Sequence, residues 1–309
     1  MDRIRRVSIV GMGALGILYG DFFAGTLGQE QVTFLADSDR VKNYKDHPVY
    51  CNDREWKFQV QDGAVPDSRG AAQLILFAVK ATALEAAARA VKNQVGKDTI
   101  ILSVLNGISS EEVIGHILGR EHMLYCVVQG MDAVKLGNRL TYSHMGEICI
   151  GIPESEAEKE PLLKKVTDLF DETGLPYTRE ADILRRLWCK WMLNVGVNQA
   201  VMVAEGTYGT VQKPGKERHM MMDAMAEVVA LAEKENIQVT GEDLQSYVDL
   251  VDTLNPEGMP SMRQDGLAHR RSEVEFFAGT VIRKAEKHGL DVPVNRELYQ
   301  RITEMEKAY

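Results

Sequence analysis

Cysteine is scarce in this chain of 309 residues: four are present, Cys51, Cys126, Cys149 and Cys189, and no two make a C-x-x-C pair. That spacing excludes a disulfide framework and a structural zinc site, so four reduced thiols and no metal are expected. Positive charge is also short. Lysine and arginine number 36 against 45 acidic residues, a net charge of −9 that seven partly protonated histidines would not reverse. Such a balance argues against nucleic acid or an anionic membrane surface as partner. No apolar run is long enough to span a bilayer. Residues 3–20 loosely imitate a signal peptide, with Arg5 and Arg6 ahead of an apolar stretch. Gly11, Gly13 and Gly16 interrupt that stretch, however, and Asp21 follows without a cleavage pattern, so a cytoplasmic protein is expected. Internal repeats and low-complexity tracts are lacking too.

What is present is an ordinary globular balance, 45% hydrophobic and 26% charged, in a chain long enough for two domains with sizeable cores. The first half alternates strand and helix signals. Strands are predicted at 7–10, 31–36, 74–79, 99–105 and 123–128. Helices are predicted at 14–23, 81–95 and 109–118, the last opening on a capping box of Ser109 and Glu112. This alternation implies right-handed βαβ units and a parallel sheet covered on both faces. Residues 140–152 read as an antiparallel hairpin around Met145-Gly146. From about residue 180 only helix signals remain, at 181–204, 216–235, 243–254 and 262–288. The last is the longest, with Gly289 as its C-cap and Pro293 beyond. The expected fold class is α/β: an N-terminal Rossmann-type doubly wound parallel sheet over residues 1–179, then an all-helical substrate and catalytic domain over 180–309. A cleft between two such domains is the default place for a small-molecule site.

Gly11-Met12-Gly13-Ala14-Leu15-Gly16 is a G-x-G-x-x-G stretch that follows a strand and opens a helix. The first glycine permits the tight turn, the second lets a pyrophosphate approach the backbone, and the third lets helix and strand pack closely. The helix start offers amides and positive dipole to phosphates. At the end of the second strand, an acidic residue suits ribose hydroxyls and disfavours a 2′-phosphate. Asp37 there argues for NADH, while Arg40 or Lys42 could still reach a phosphate. Lys80 and Asn106 end two further strands, where ligands of open parallel sheets lie. Solvated lysine and simple Asn106-Gly107 turn chemistry are the plainer readings.

Within the greasy stretch 187–198, Lys190, Asn194 and Asn198 recur at i, i+4 and i+8 and so share one helix face. Buried amides and ammoniums cost a few kcal/mol each without partners, so this stripe suggests a polar cleft lining. Lys190 has the chemistry that carbonyl reduction needs, stabilising charge on oxygen and donating a proton.

In this order, the glycine loop, Val79-Lys80, Asn106-Gly107, Leu187-Trp188-x-Lys190-x3-Asn194-x3-Asn198, Pro260-Ser261-Met262-x-Gln264-Asp265, Glu273 and Val292-Pro293-Val294-Asn295 resemble the ketopantoate reductase family, over residues 7 to about 302. The resemblance implies reduction of 2-dehydropantoate to pantoate with NADPH, on the route to pantothenate and coenzyme A. It implies that Lys190 is the proton donor, that Asn194, Asn198 and Ser261 bind substrate, and that Asn106 lies near nicotinamide and substrate. Glu273 and Lys80 would contact the cofactor. From the residues alone, Ser261 and Gln264 read as a capping box for the last helix, and Glu273 as a surface glutamate. Two departures stand out. Asp37 occupies a position usually basic in the family, which leaves NADH open. Asp132 sits where small uncharged residues are usual, and a cleft-facing Asp132 would repel an anionic substrate. A reductase of another small 2-oxo acid and a non-catalytic NAD(P)-binding redox sensor are the competing readings. The oligomeric state is not legible; a homo-oligomer would most simply be a dimer.

Overall fold

The computed structural model describes residues 3–309. Internal contacts divide the chain into two units. One holds residues up to Leu105 together with Ser109–Ile183; the other holds Asn106–Ile108 together with Leu184–Tyr309.

The first unit runs β1 (Val7–Val10), α1 (Ala14–Leu27), β2 (Val32–Ala36), α2 (Ser38–Asp46), β3 (Val49–Cys51), β4 (Arg54–Trp56), β5 (Gln59–Asp62) and β6 (Leu74–Phe77). It continues with α3 (Leu84–Ala90), β7 (Ile100–Ser103), α4 (Ser110–Leu118), β8 (Tyr125–Met131), β9 (Val134–Leu136), β10 (Arg139–Thr141), β11 (Met145–Gly151), α5 (Glu160–Thr173) and β12 (Tyr177–Arg179). Five strands form a wholly parallel sheet in the order β5-β2-β1-β6-β7. Every residue of β2, β6 and β7 is buried, as a sheet covered on both faces demands. Because side chains alternate across a strand, one face sends Ile9, Phe34, Leu76 and Leu102 into one core and the other sends Val10, Leu35, Phe77 and Ile101 into a second. Each such side chain contributes about 1.5–3 kcal/mol by leaving water. This is the doubly wound α/β architecture expected from the alternation.

Two smaller sheets, β12-β11-β8 and β4-β3-β10-β9, complete the unit. They correct the hairpin reading of 140–152. Met145 and Gly146 lie inside β11, which pairs with β8, whereas β10 pairs with β9 and β3. The misleading signal was Gly146. Its φ of +70 would suit a turn, but here it marks a spot inside β11 where two strand backbones meet, and a Cβ there would lie 2.1 Å from the Gln129 carbonyl oxygen. The tight hairpin is instead β9–β10, closed by the two residues Gly137-Asn138, a recognised hairpin signal. The capping box at Ser109 is likewise corrected. Ser109 makes no side-chain cap. The neighbouring Ser110 hydroxyl donates to Glu111 at 2.9 Å and accepts from Ser103 at 2.8 Å.

The second unit, with the helix that leads into it, is helical: α6 (Ile183–Val203), α7 (Tyr208–Gln212), α8 (Lys216–Lys234), α9 (Gly241–Thr253), α10 (Ser261–Leu267), α11 (Ala278–His288) and α12 (Pro293–Met305). Trp191, Met192, Val195 and Val201 of α6 are buried with Met221, Met225 and Val228 of α8 and with Leu298 and Ile302 of α12. Gly196 sets the closeness of α6 and α8, since a Cβ there would come within 2.8 Å of the Met221 carbonyl oxygen.

The single helix expected at 262–288 is not formed. α10 stops at Leu267, His269 takes a φ of +49, and a short 3-10 turn at Val274–Phe276 precedes α11. Side chains take over the backbone groups in the gap: Glu306 accepts from the Ser272 amide at 2.8 Å and the Ser272 hydroxyl from the Val274 amide at 3.3 Å. The apolar spacing continues on both sides of the break, so periodicity hid it.

All four cysteines are buried and free of disulfides. Among the described residues no helix is long and apolar enough to cross a membrane, and no group of three His, Cys, Asp or Glu side chains could hold a metal.

Candidate active site

In the first unit the glycine loop joins β1 to α1. Gly11 has a φ of +106, and a Cβ on it would strike the Ala78 carbonyl oxygen at 2.7 Å and the Val79 side chain at 2.8 Å. A Cβ on Gly16 would lie 2.0 Å from the Gly11 carbonyl oxygen. These two glycines are thus required by packing of the loop on the end of β6. Gly13 differs: its Cβ would meet only the Ala78 carbonyl oxygen, at 3.5 Å. Gly13 is also the N-cap of α1 and gives no side-chain cap. The loop therefore has the bare helix start and uncovered glycine that a pyrophosphate needs. Tyr44 of α2 was not singled out from the sequence. Its hydroxyl lies at the Met12 backbone, and burial raises its pKa.

Asp37 closes β2 and caps α2. Its carboxylate accepts from the Arg40 amide at 2.9 Å and pairs with the Arg40 guanidinium at 2.5 Å. Exposed Lys80 follows β6 and opens a 3-10 turn at Ala81–Ala83. Asp132 holds the 143–144 backbone, accepting from the Ser143 and His144 amides at 2.8 Å each. Those bonds, the His144 one foremost, keep its exposed carboxyl below the usual range.

In the second unit α6 presents its polar row as the spacing predicts. Lys190 Nζ donates to Asn106 Oδ1 at 3.2 Å, and Asn106 Nδ2 reaches Glu273 Oε2 at 3.5 Å. One turn further, Asn198 donates to Asn194 at 3.2 Å, and Asn198 Oδ1 accepts from the Ser261 hydroxyl and the Met262 amide, each at 3.2 Å. Two linked groups result, Lys190–Asn106–Glu273 and Asn194–Asn198–Ser261. Asn198 is 6% exposed, so its three bonds satisfy an amide that would otherwise cost about 1–3 kcal/mol. The capping box read at Ser261 and Gln264 is overturned. Pro260 is the N-cap of α10, Ser261 turns to Asn198, and Gln264 donates to the Met259 carbonyl. Pro260 fixes the entry into the helix, which frees the serine.

Sequence reasoning passed over the partners of this row. Trp191 donates to the Phe276 carbonyl at 3.0 Å, and fully buried Gln199 accepts from the Ala278 amide at 3.1 Å. Only their polar atoms on a greasy helix could have pointed to them.

Known proteins resemble this chain along nearly its whole length. A family model described as ketopantoate reductase PanE/ApbA matches residues 7–155, and one described as its C-terminal part matches residues 182–306. The 2-dehydropantoate 2-reductase of Halobacterium salinarum is 28% identical over 299 residues, covering 95% of this chain and 96% of the relative. That of Streptococcus pyogenes serotype M1 is 25% identical over 293 residues, 94% of each. Among solved structures, a D-mandelate dehydrogenase with NADH and anilino(oxo)acetate superposes with a TM-score of 0.84 at 22% identity, covering 98% of both chains. A PanE/ApbA family ketopantoate reductase from Ralstonia eutropha JMP134 gives 0.82 at 24% identity, covering 98% of this chain and 99% of that one. With both family models matched in sequence order on a fold shared almost end to end, the chain belongs to the ketopantoate reductase family and is an NAD(P)H-dependent oxidoreductase.

Proposed function

We propose that the protein reduces the 2-oxo group of 2-dehydropantoate to give pantoate. The observation that carries this reading is the polar row of α6, with the Lys190 ammonium 3.2 Å from Asn106 and the Asn194–Asn198–Ser261 chain one turn on. A dinucleotide, when bound, would supply the hydride. Gly11 and Gly16 shape the loop, and Gly13 and the start of α1 leave room and amides for the pyrophosphate, with Lys80 as a cationic contact. Negative charge growing on the carbonyl oxygen is stabilised by the Lys190 ammonium, which then gives up its proton to that oxygen. Asn106 accepts from the ammonium at one end and faces Glu273 at the other, which fixes the direction of Nζ. Asn194, Asn198 and Ser261 offer amide and hydroxyl groups to the carboxylate and hydroxyl oxygens of the substrate.

For the cofactor, Asp37 favours NADH. A carboxylate at the end of β2 repels a 2′-phosphate, and the nearby guanidinium of Arg40 is already paired with it. A second reading, reduction of a different 2-oxo acid, takes its support from the D-mandelate dehydrogenase with NADH that shares this fold.

The test is hydride transfer to 2-dehydropantoate, run separately with NADH and NADPH, for wild type and Lys190→Ala. Turnover with NADH ahead of NADPH is expected. Loss of Lys190 should lower kcat about 10³-fold, the scale seen when one preorganised donor to a developing oxyanion is removed, with cofactor affinity unchanged. Turnover of phenylglyoxylate but not of 2-dehydropantoate would favour the second reading. Dinucleotide binding with no turnover of any 2-oxo acid would identify a sensor instead.

A further inference from the structure

The segment between α10 and α11 is fastened to α6 at two points, and one of them is the residue next to Lys190. The Trp191 indole N–H donates to the Phe276 carbonyl at 3.0 Å, and Gln199 accepts from the Ala278 amide at 3.1 Å. Between these anchors the chain is irregular, with Phe277 at φ −100 and ψ −96. Glu273 begins the same turn: its carbonyl accepts from the Phe276 amide at 2.9 Å and the Phe277 amide at 3.2 Å. The carbonyl that Trp191 holds and the carboxylate that meets Asn106 therefore belong to one short turn. That carbonyl also lies 3.8 Å from the place of a Cβ on Gly107, a residue with φ +103 that directly follows Asn106.

Successive residues of a helix point about 100° apart. Lys190 and Trp191 can thus hold two different segments of the same constellation, at Asn106 and Phe276, from one point on α6. Trp191 is 1% exposed and packs edge-to-face on Trp188 at 5.2 Å. A bicyclic ring of the same size without the N–H would fill that core as well, so the feature specific to tryptophan here is the buried N–H and its acceptor.

We propose that Trp191 is a positioning residue: by holding the Phe276 carbonyl, its indole N–H sets the turn that brings Glu273 to Asn106, and through Asn106 aims the Lys190 ammonium. The inference rests on Lys190 being the proton donor. Displacements of about 1 Å in such constellations cost on the order of 10²-fold in rate. The groups expected to hold substrate, Asn194, Asn198 and Ser261, keep bonds of their own that do not pass through the turn.

The test uses the full chain with Trp191→Phe, Trp188→Phe and Lys190→Ala. Trp191→Phe should lower kcat about 10–100-fold with the KM for the 2-oxo acid within about threefold. Trp188→Phe, which removes similar ring area, should leave kcat within twofold. Backbone hydrogen exchange over 273–277 should rise in Trp191→Phe and stay at the wild-type rate in Trp188→Phe. If Trp191→Phe does not fold, benzothienylalanine at position 191 removes the donor while keeping the ring, and the same changes are expected. Unchanged kcat and unchanged exchange in a folded variant would overturn the proposal. The control separates the two claims. If Lys190→Ala loses turnover and Trp191→Phe keeps it, only the positioning role fails; if Lys190→Ala keeps turnover, the reading of Lys190 and this inference fall together.

Discussion

The two units carry their candidate chemistry in different materials. In the first, the glycine loop presents backbone, and what matters is the absence of side chains at Gly11, Gly13 and Gly16. In the second, α6 presents side chains, and what matters is how Asn106 holds Lys190 and how Asn198 ties Asn194 to Ser261. A backbone site should be damaged by adding atoms and a side-chain site by removing them. The first kind of damage should register in stability and cofactor binding together, the second in turnover or KM.

Three changes would break or sharpen this contrast. The largest effect is expected for Gly16→Ala. The new Cβ would stand 2.0 Å from the Gly11 carbonyl oxygen, so loop and helix must separate. A cost of about 3 kcal/mol or more follows from such overpacking, read as a fall in Tm together with weakened dinucleotide binding in a titration. Stability and binding both at wild-type level would end the backbone reading.

Next is Glu111, the side-chain exception inside the first unit. Burial pushes its carboxyl up to about 7 from an ordinary 4.5. An acid raised in the folded state contributes stability that is fully present below its unfolded pKa and is lost as pH rises through the folded value. The wild type should therefore lose about 2–3 kcal/mol relative to Glu111→Gln between pH 4.5 and pH 8. Parallel denaturation curves across that range for the two proteins would refute it.

The smallest effect is expected for Asn198→Ala, where structure and binding overlap. Losing the acceptor for Ser261 and Met262 should cost about 2 kcal/mol in stability and raise the KM for the 2-oxo acid about tenfold, with kcat reduced less. An unchanged KM would show that the amide serves only the fold.

The same contrast explains what was legible in the sequence. Features confined to one element could be read: β6 as a fully buried strand, the glycine loop between strand and helix, and the row Lys190–Asn194–Asn198 on one helix face. Features that need two elements could not. Gly146 looked like a turn because the strand it touches, β8, lies elsewhere in the chain. The break at 268–277 was masked because the groups that replace helix bonds there come partly from Glu306, and because no proline or glycine lies within it. The pairing of Lys190 with Asn106 spans 84 residues, a distance over which spacing carries no information. Only the resemblance to known proteins brings those two residues together.

Asn106–Ile108 belong by their contacts with residues after 184, although the chain on either side of them belongs to the other unit. The helical unit is therefore not a contiguous piece of gene. A fragment cut at residue 184, or a chimera joined there to another family's helical half, would leave behind the acceptor of the Lys190 ammonium. Exchange of halves between relatives must carry this three-residue detour along, so the seam between the units is a poorer place for recombination than the composition change near residue 180 suggests.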